Sequence, residues 1–465
     1  MLPEVLSAAV ALAPVWPALG AIVITALLLP KQQPSERVVA GITRAAMLLT
    51  LASAVCGLLL WCTTGPVDYR LGNWYAAAEY SFPLVLLFDG LSAVMSAFIA
   101  LILVTTVRFS VTYMHNERGF IRFFLLNLFF AAGMQLLVLG GSVELLFIGW
   151  EFVGITSVLL VAFFHERAQP VQAALRVLVT YRICDIGLLF GGLWLHHWLG
   201  TTVWVDAFAQ LGRGAVGAAG GVAAVGVALA LVFAAMGKSA QFPVGGWLPR
   251  AMEGPTASSA VFYGSLSVHA GVYLLIRAAP LIEQSLAARG VLIAIGLLTA
   301  VISALSSQVS ADAKSAVAYA TASQVGLMFV TCGFGFYTLA TVHLIAHATL
   351  RYYQFLRTPS ALQDALWQQA ALGRTAQDEA AARWEGVALL RRRALYRLAL
   401  ERFAVETALD RWITRPVMDI SRFLDGLERR FLALHGRPPG AGPGAPMPAM
   451  APDMSPPSSA TERQA

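Results

Sequence analysis

Apolar positions in this chain fall in long unbroken blocks. From Val5 to about residue 357, stretches of twenty or more mostly apolar residues alternate with short polar ones. Crossing the hydrocarbon core of a bilayer takes ~20 such residues in a helix. Backbone in lipid must satisfy its own hydrogen bonds, which leaves helices or a closed barrel. Barrel strands would show ~10-residue segments of alternating polarity, and these blocks are longer and continuous. The pattern predicts an all-α polytopic membrane protein with about eleven transmembrane helices, over 5–30, 38–64, 88–114, 120–141, 143–164, 172–198, 218–240, 256–279, 288–308, 313–333 and 335–357. Composition agrees: 58% of residues are hydrophobic, only 12% are charged, and mean hydropathy is +0.68, which excludes a soluble domain of this length. The first block lacks a basic leader and is too long for a signal-peptide core, so it reads as a mature span.

Past Thr358 the pattern changes. Residues 1–357 read as the transmembrane domain, 358–391 as a helical linker, 392–436 as an amphipathic helix at a membrane surface or against a partner, and 437–465 as a disordered tail rich in Pro, Gly and Ala. Within 392–436, Phe403, Leu409, Trp412, Ile420, Phe423, Leu424, Leu427 and Phe431 recur at helical spacing, and Pro416 is expected to kink or divide the helix. Arginine and lysine concentrate in the odd-numbered loops (Lys31, Arg37, Arg118, Arg167, Arg250). By the positive-inside rule those loops are cytoplasmic, which puts the N-terminus outside and the C-terminus inside. The expected location is a bacterial inner membrane.

Charge at span depth is the next signal, since an acid or base there costs ~2.5–3.5 kcal/mol even on the lower insertion scales. Glu151, Asp185, Lys238, His269, His343 and His347 all fall inside predicted spans. Asp185 can equally be a structural partner of Arg182, and His269 a packing residue. Glu151 and Lys238 have no opposite charge within a helical turn, so each needs a partner on another helix. In "VFAAMGKSAQFPVGGWLP" the helix carrying Lys238 runs toward Pro243 and two glycines, where it can break at membrane depth. A buried lysine can gain and lose a proton, and a glutamate on an adjacent helix makes the pair a proton switch. The four cysteines, Cys56, Cys62, Cys184 and Cys332, read as small buried hydrophobes. No GxGxxG, P-loop or zinc spacing occurs, so no metal, cofactor, catalytic site or nucleic-acid partner is expected.

Several blocks together, "FDGLSAVMSAF", "YMHNERGFIRFFLLNLF", "LLFIGWEFVGITSVLL", "GKSAQFPVGGWLPRAMEGPTASSA", "ADAKSAVAYATASQVGLMF" and "HLIAHATLRYYQFLR", resemble the antiporter-like membrane subunits shared by respiratory complex I (subunit L), the Mrp sodium/proton antiporters and the DAB-type inorganic carbon accumulation systems. The resemblance implies inverted helix repeats and a line of charged residues at mid-membrane, with the family's glutamate on Glu151 and its broken-helix lysine on Lys238. There are departures. Tyr263 stands where the family usually has histidine, with His269 six residues on, and Arg351 stands where it often has lysine. Arginine is not deprotonated in proteins, so Arg351 can hold charge without relaying a proton. The second repeat reads as truncated. The first expectation is therefore a proton-conducting subunit of the DAB type, coupled to a soluble cytoplasmic zinc protein similar to a β-carbonic anhydrase. The alternative is a divergent subunit of a complex I-like oxidoreductase or Mrp-type antiporter, working with other membrane subunits.

Overall fold

A computed structural model describes residues 2–29, 34–77, 80–213, 218–310, 312–358, 389–409, 411–412 and 415–434. Most of the predicted linker and all of the predicted tail lie outside the described residues. The chain divides into two compact units, 1–403 and 404–465.

In the first unit, helices stand on every predicted block: α1 (Leu2–Ala11), α2 (Val15–Leu28), α3 (Glu36–Thr64), α4 (Gly90–Tyr113), α5 (Phe120–Leu139), α6 (Val143–Val161), α7 (Ala168–Leu199), the short α8 (Trp204–Gly212) and α9 (Ala218–Lys238). Short turns α10 (Trp247–Arg250), α11 (Thr256–Ser258), α12 (Ala270–Arg277) and α13 (Ala279–Glu283) follow, then the long helices α14 (Leu286–Val309), α15 (Ala313–Gly333) and α16 (Tyr337–Arg357). Among the described residues eight helices are long and apolar enough to cross a membrane, or nine if the bent pair Glu4–Ala11 and Val15–Leu28 is one span. The expected eleven is not reached on length and composition. α7 and α16 have the length, at 32 and 21 residues, but α7 carries Arg176, Arg182 and Asp185 and α16 carries two histidines and Arg351. The first block is not one straight helix: it bends by 43° around Pro14, where proline removes a backbone donor.

The structure also adds an element that the block pattern does not predict. β1 (Val67–Ala77) and β2 (Tyr80–Phe88) form an antiparallel hairpin between α3 and α4, registered Val67↔Phe88 to Ala77↔Tyr80. Val85, Leu86, Leu87 and Phe88, the last residues of β2, are buried. Gly141 N–H donates to Val85 O at 2.7 Å and Trp204 N–H to Gly141 O at 3.0 Å, which ties the hairpin to the α5–α6 and α7–α8 loops. Arg70 on the hairpin pairs with Asp68 and Asp206, both at 3.0 Å.

Helix contacts rely on small residues, as expected where no hydrophobic effect separates helix from lipid. A Cβ on Gly296 of α14 would lie 2.5 Å from the Gly326 carbonyl oxygen on α15, and the reverse clash would be 2.6 Å. Gly296→Val is expected to force the helices apart at about 1–3 kcal/mol and to lower the thermal midpoint of the detergent-purified protein. An unchanged midpoint would show that the contact yields freely.

Cys184 and Cys332 are buried as expected, whereas Cys56 is partly exposed and Cys62 exposed. Both lie on α3, much of whose surface is left exposed, so its outer face takes small apolar residues without covering them. The helix Leu389–Leu400 belongs to the first unit: Ala399 is 2% exposed and its carbonyl accepts from Ser306 Oγ of α14 at 3.2 Å. Left-handed backbone at Arg402, Phe403 and Ala404 ends this stretch. In the second unit the helix Arg415–Leu434 leaves Ile420, Phe423, Leu424, Leu427 and Phe431 exposed along one stripe, with Arg422–Asp419 and Arg429–Asp425 pairs beside it. Pro416 is its second residue, a position that suits proline's missing N–H, so it starts a helix rather than kinking one.

Candidate functional site

α9 ends where the sequence predicts a break. Ala240 takes φ +51°, and Gln241 N–H reaches back to Met236 O at 2.9 Å, a left-handed C-terminal cap. The chain then continues through short turns over Val244–Gly246, α10 and Ala251–Glu253. Freed backbone groups find partners: Trp247 Nε1 donates to Gly237 O at 3.0 Å, and Phe242 N–H to Thr299 Oγ1 at 2.8 Å. Lys238, the last residue of α9, is 1% exposed. Its Nζ donates to Trp150 O at 2.9 Å and lies 4.9 Å from the Trp150 ring centre and 4.4 Å from that of Tyr181, inside cation–π range. Room for the amine comes from Gly154, one turn after Trp150 on α6, where a Cβ would stand 2.8 Å from Nζ.

The carboxylates gather beside it around a residue that sequence reasoning had paired only with Asp185. Arg182 of α7 bonds Glu151 of α6 and lies 3.0 Å from Asp185 Oδ2. Asp185 Oδ1 accepts from Trp150 Nε1 at 2.5 Å. Among the described residues no ion pair within 4.0 Å joins Lys238 to either carboxylate. The sequence expectation of a direct Glu151–Lys238 pair is thus modified: Arg182 holds the glutamate, and the lysine waits on the Trp150 carbonyl of the same helix. Glu151 Oε1 and Asp185 Oδ2 are buried without a hydrogen bond.

The histidines form a second group. His269 lies in the turn Ser267–His269 after a π-helical stretch, Ser259–Ser265, in a span that is buried almost throughout. Its Nε2 and His347 Nδ1 share a hydrogen bond at 3.0 Å. Arg351 Nε donates to His347 Nε2 at 3.0 Å, and Arg351 Nη1 to Gln354 Oε1 at 2.6 Å. The His343 ring centre is 5.9 Å from that of His347. Tyr263, on the family's histidine position, turns toward α6 and donates to Ser157 O at 3.1 Å. Between the groups, the Tyr181 hydroxyl faces Ser157 and Ser267 without closing a hydrogen bond, and Ser267 Oγ and Gln241 Oε1 are likewise buried and unpaired. Buried polar atoms of this kind are what internal water satisfies.

A family model described as "NADH:quinone oxidoreductase/Mrp antiporter, TM" matches residues 140–370, and one described as "NADH-Ubiquinone oxidoreductase (complex I), chain 5 N-terminus" matches residues 74–124. The chain belongs to the antiporter-like membrane subunit superfamily. It is 34% identical over 312 residues to the NADH-quinone oxidoreductase subunit L of Campylobacter jejuni, covering 66% of this chain and 50% of that one. The Neisseria meningitidis subunit L is 34% identical over 303 residues, covering 63% and 45%. This antiporter-like chain therefore spans about half the length of the curated relatives it matches. Among solved structures, the Mrp complex from Dietzia superposes with a TM-score of 0.65 at 26% identity, covering 80% of this chain and 38% of that one. An archaeal membrane-bound sulfane sulfur reductase shares the fold, with a TM-score of 0.64 at 19% identity, covering 84% and 81%.

All seven sequence-predicted residues of this antiporter-like subunit thus fall into two groups, Glu151, Asp185 and Lys238 in one, and His269, His343, His347 and Arg351 in the other, with Glu151, His343 and Arg351 half-buried and the other four buried. Sequence reasoning missed Arg182 as the hub of the first. Its signal was present: a second basic residue inside a predicted span, with more than one acid to serve.

Proposed function

We propose that this antiporter-like subunit translocates protons along the polar track from Glu151 through Lys238 to the histidine pair, as one membrane subunit of a complex I- or Mrp-type assembly, with its N-terminus outside and its C-terminus cytoplasmic. One observation carries the reading: a lysine with 1% exposure seated on the Trp150 carbonyl and two rings, while the next residue along that helix, Glu151, is held through one oxygen by Arg182. When Arg182 turns wholly to Asp185, Glu151 is released toward Lys238 and draws the ammonium. When Arg182 returns, the lysine loses that partner and passes its proton on, by way of Tyr181, Ser267 and water, to His269. His347, its Nε2 taken by Arg351, donates through Nδ1 to His269 Nε2 and holds that ring in place. Buried lysine and histidine suit protons; no carboxylate cage for sodium stands among the described residues.

Coupling to carbon dioxide hydration through a soluble zinc partner is the second reading. It rests on Tyr263, Arg351 and the basic C-terminal helices, whereas the matched relatives are complex I and Mrp subunits, which favours the first. Purification of the full chain in mild detergent separates them. Co-purifying membrane subunits and gradient-driven proton uptake in vesicles are expected; a single soluble zinc protein would move the function to the second reading, and no proton movement in any assembly would remove both.

A further inference from the structure

His269 has a second nitrogen, and it faces a different way from the first. Nε2 is taken by His347. Nδ1 is buried without a hydrogen bond in a residue only 1% exposed, although the ring lies near the Ser265 backbone. Beside it is a cavity of about 10 Å³, largely apolar, lined by Met95, Met134, Leu137 and Ala270 together with Ser265, His269 and Tyr273. That volume is at the lower limit for one water, about 10–15 Å³. Past the cavity the polar groups continue. The Tyr273 hydroxyl donates to Val138 O at 2.6 Å and accepts from Arg277 Nη2 at 3.0 Å. Both terminal nitrogens of Arg277 bond the Asp89 carboxylate. Asp89 caps α4 and its side chain is 24% exposed, at the foot of the hairpin.

The two nitrogens of His269 lead to opposite ends of the bundle, and α4 serves as the ruler. Asp89 marks its first end. Near its other end, Thr106 Oγ1 shares a hydrogen bond with the Tyr352 hydroxyl at 3.0 Å, next to Arg351, and the Tyr113 hydroxyl donates to Thr256 Oγ1 at 3.3 Å. At 1.5 Å per residue, the helix between Asp89 and Thr106 covers about 25 Å. The His347–Arg351–Gln354 branch therefore points to one face and the Tyr273–Arg277–Asp89 branch to the other.

We propose that the cavity beside His269, with Tyr273, Arg277 and Asp89, is a water-loaded proton outlet to the hairpin face. It rests on the translocation reading above. The Nδ1–H bond of the protonated His269 breaks as an O–H bond forms on the cavity water. That water passes a proton along further water to a carboxylate oxygen of Asp89. Tyr273 orients the water and is a positioning residue. Arg277 closes the outlet while it holds Asp89, because its charge opposes a passing proton, and opens it by turning away.

The test uses the full chain, with the subunits that co-purify, in vesicles whose proton uptake is followed by a pH dye, with Lys238→Ala as the reference. Tyr273→Phe removes the orienting hydroxyl, and Ala270→Val fills the cavity without touching any hydrogen bond. Both are expected to assemble normally, to slow uptake roughly ten- to a hundred-fold, and to raise the solvent deuterium isotope effect, because water transfer becomes limiting. Wild-type uptake in both variants where Lys238→Ala abolishes it overturns the outlet and leaves the translocation reading standing. A loss that only tracks the amount of assembled protein, with an unchanged isotope effect, also overturns it. Wild-type uptake in Lys238→Ala removes the translocation reading itself, and the outlet with it.

Discussion

Lys238→Ala is expected to abolish proton movement, by about a hundred-fold or more, while the subunit still reaches the membrane and assembles. The size follows from what is deleted: a positioned proton-transfer group contributes typically ~10²–10⁴-fold. No other amine stands at this point of the track, since Nζ occupies the space that Gly154 leaves open. Assembly survives because the alanine removes a buried charge together with its need for a partner, leaving the Trp150 carbonyl inside α6, where it can keep a helical bond. Proton uptake in vesicles, normalised to assembled protein, checks it. Residual uptake within a few-fold of wild type would take Lys238 out of the path.

Arg182→Gln is expected to lower uptake about as far as Glu151→Gln does, roughly ten- to a hundred-fold, and the double variant to be little worse than either single one. Arg182 bonds Glu151 and lies 3.0 Å from Asp185. Without it, two carboxylates on adjacent helices face each other, and like charges at such range disfavour joint ionisation. Residues sharing one charge network are non-additive by about 0.5–3 kcal/mol. The check is a double-mutant cycle on uptake rates. Additive losses would mean that Arg182 and Glu151 act at separate steps and that the arginine is not the element that releases the glutamate. Arg182→Lys should recover part of the rate, because it keeps the charge but loses the planar fork that spans both carboxylates.

The helices of this antiporter-like subunit were legible because an apolar block of span length has few alternatives in a membrane. The break after Lys238 was legible too, although the cause read from sequence was Pro243 and the helix in fact stops earlier, at the left-handed Ala240. The hairpin was not legible. β2, "YSFPLVLLF", is an apolar run that merges with the span following it, and β1 shows no strict alternation, because register shifts fall between Arg70 and Gly72 and between Asn73 and Tyr75. At the site, the residue types were readable from their cost in lipid, but the pairings were not. Asp185 lies three residues from Arg182 and looks self-contained, whereas the arginine's other partner, Glu151, is 31 residues away. His269 and His347 meet across 78 residues, a contact that no local spacing encodes.

Lys238 closes α9 rather than sitting within it, and this decides how quickly the amine can change partners. A lysine in the middle of a span would carry two full turns of backbone on either side, and relocating it would require a rigid-body shift of the kind that takes microseconds to milliseconds. Here the ladder ends just past the lysine, with Ser239 N–H on Ala235 O, so a few side-chain torsions and the short segment to Gln241 can carry the ammonium between its resting seat and the acid. In the proposed cycle the throw of the switch is then faster than any domain movement, and the tempo passes to Arg182 and to the machinery that moves it.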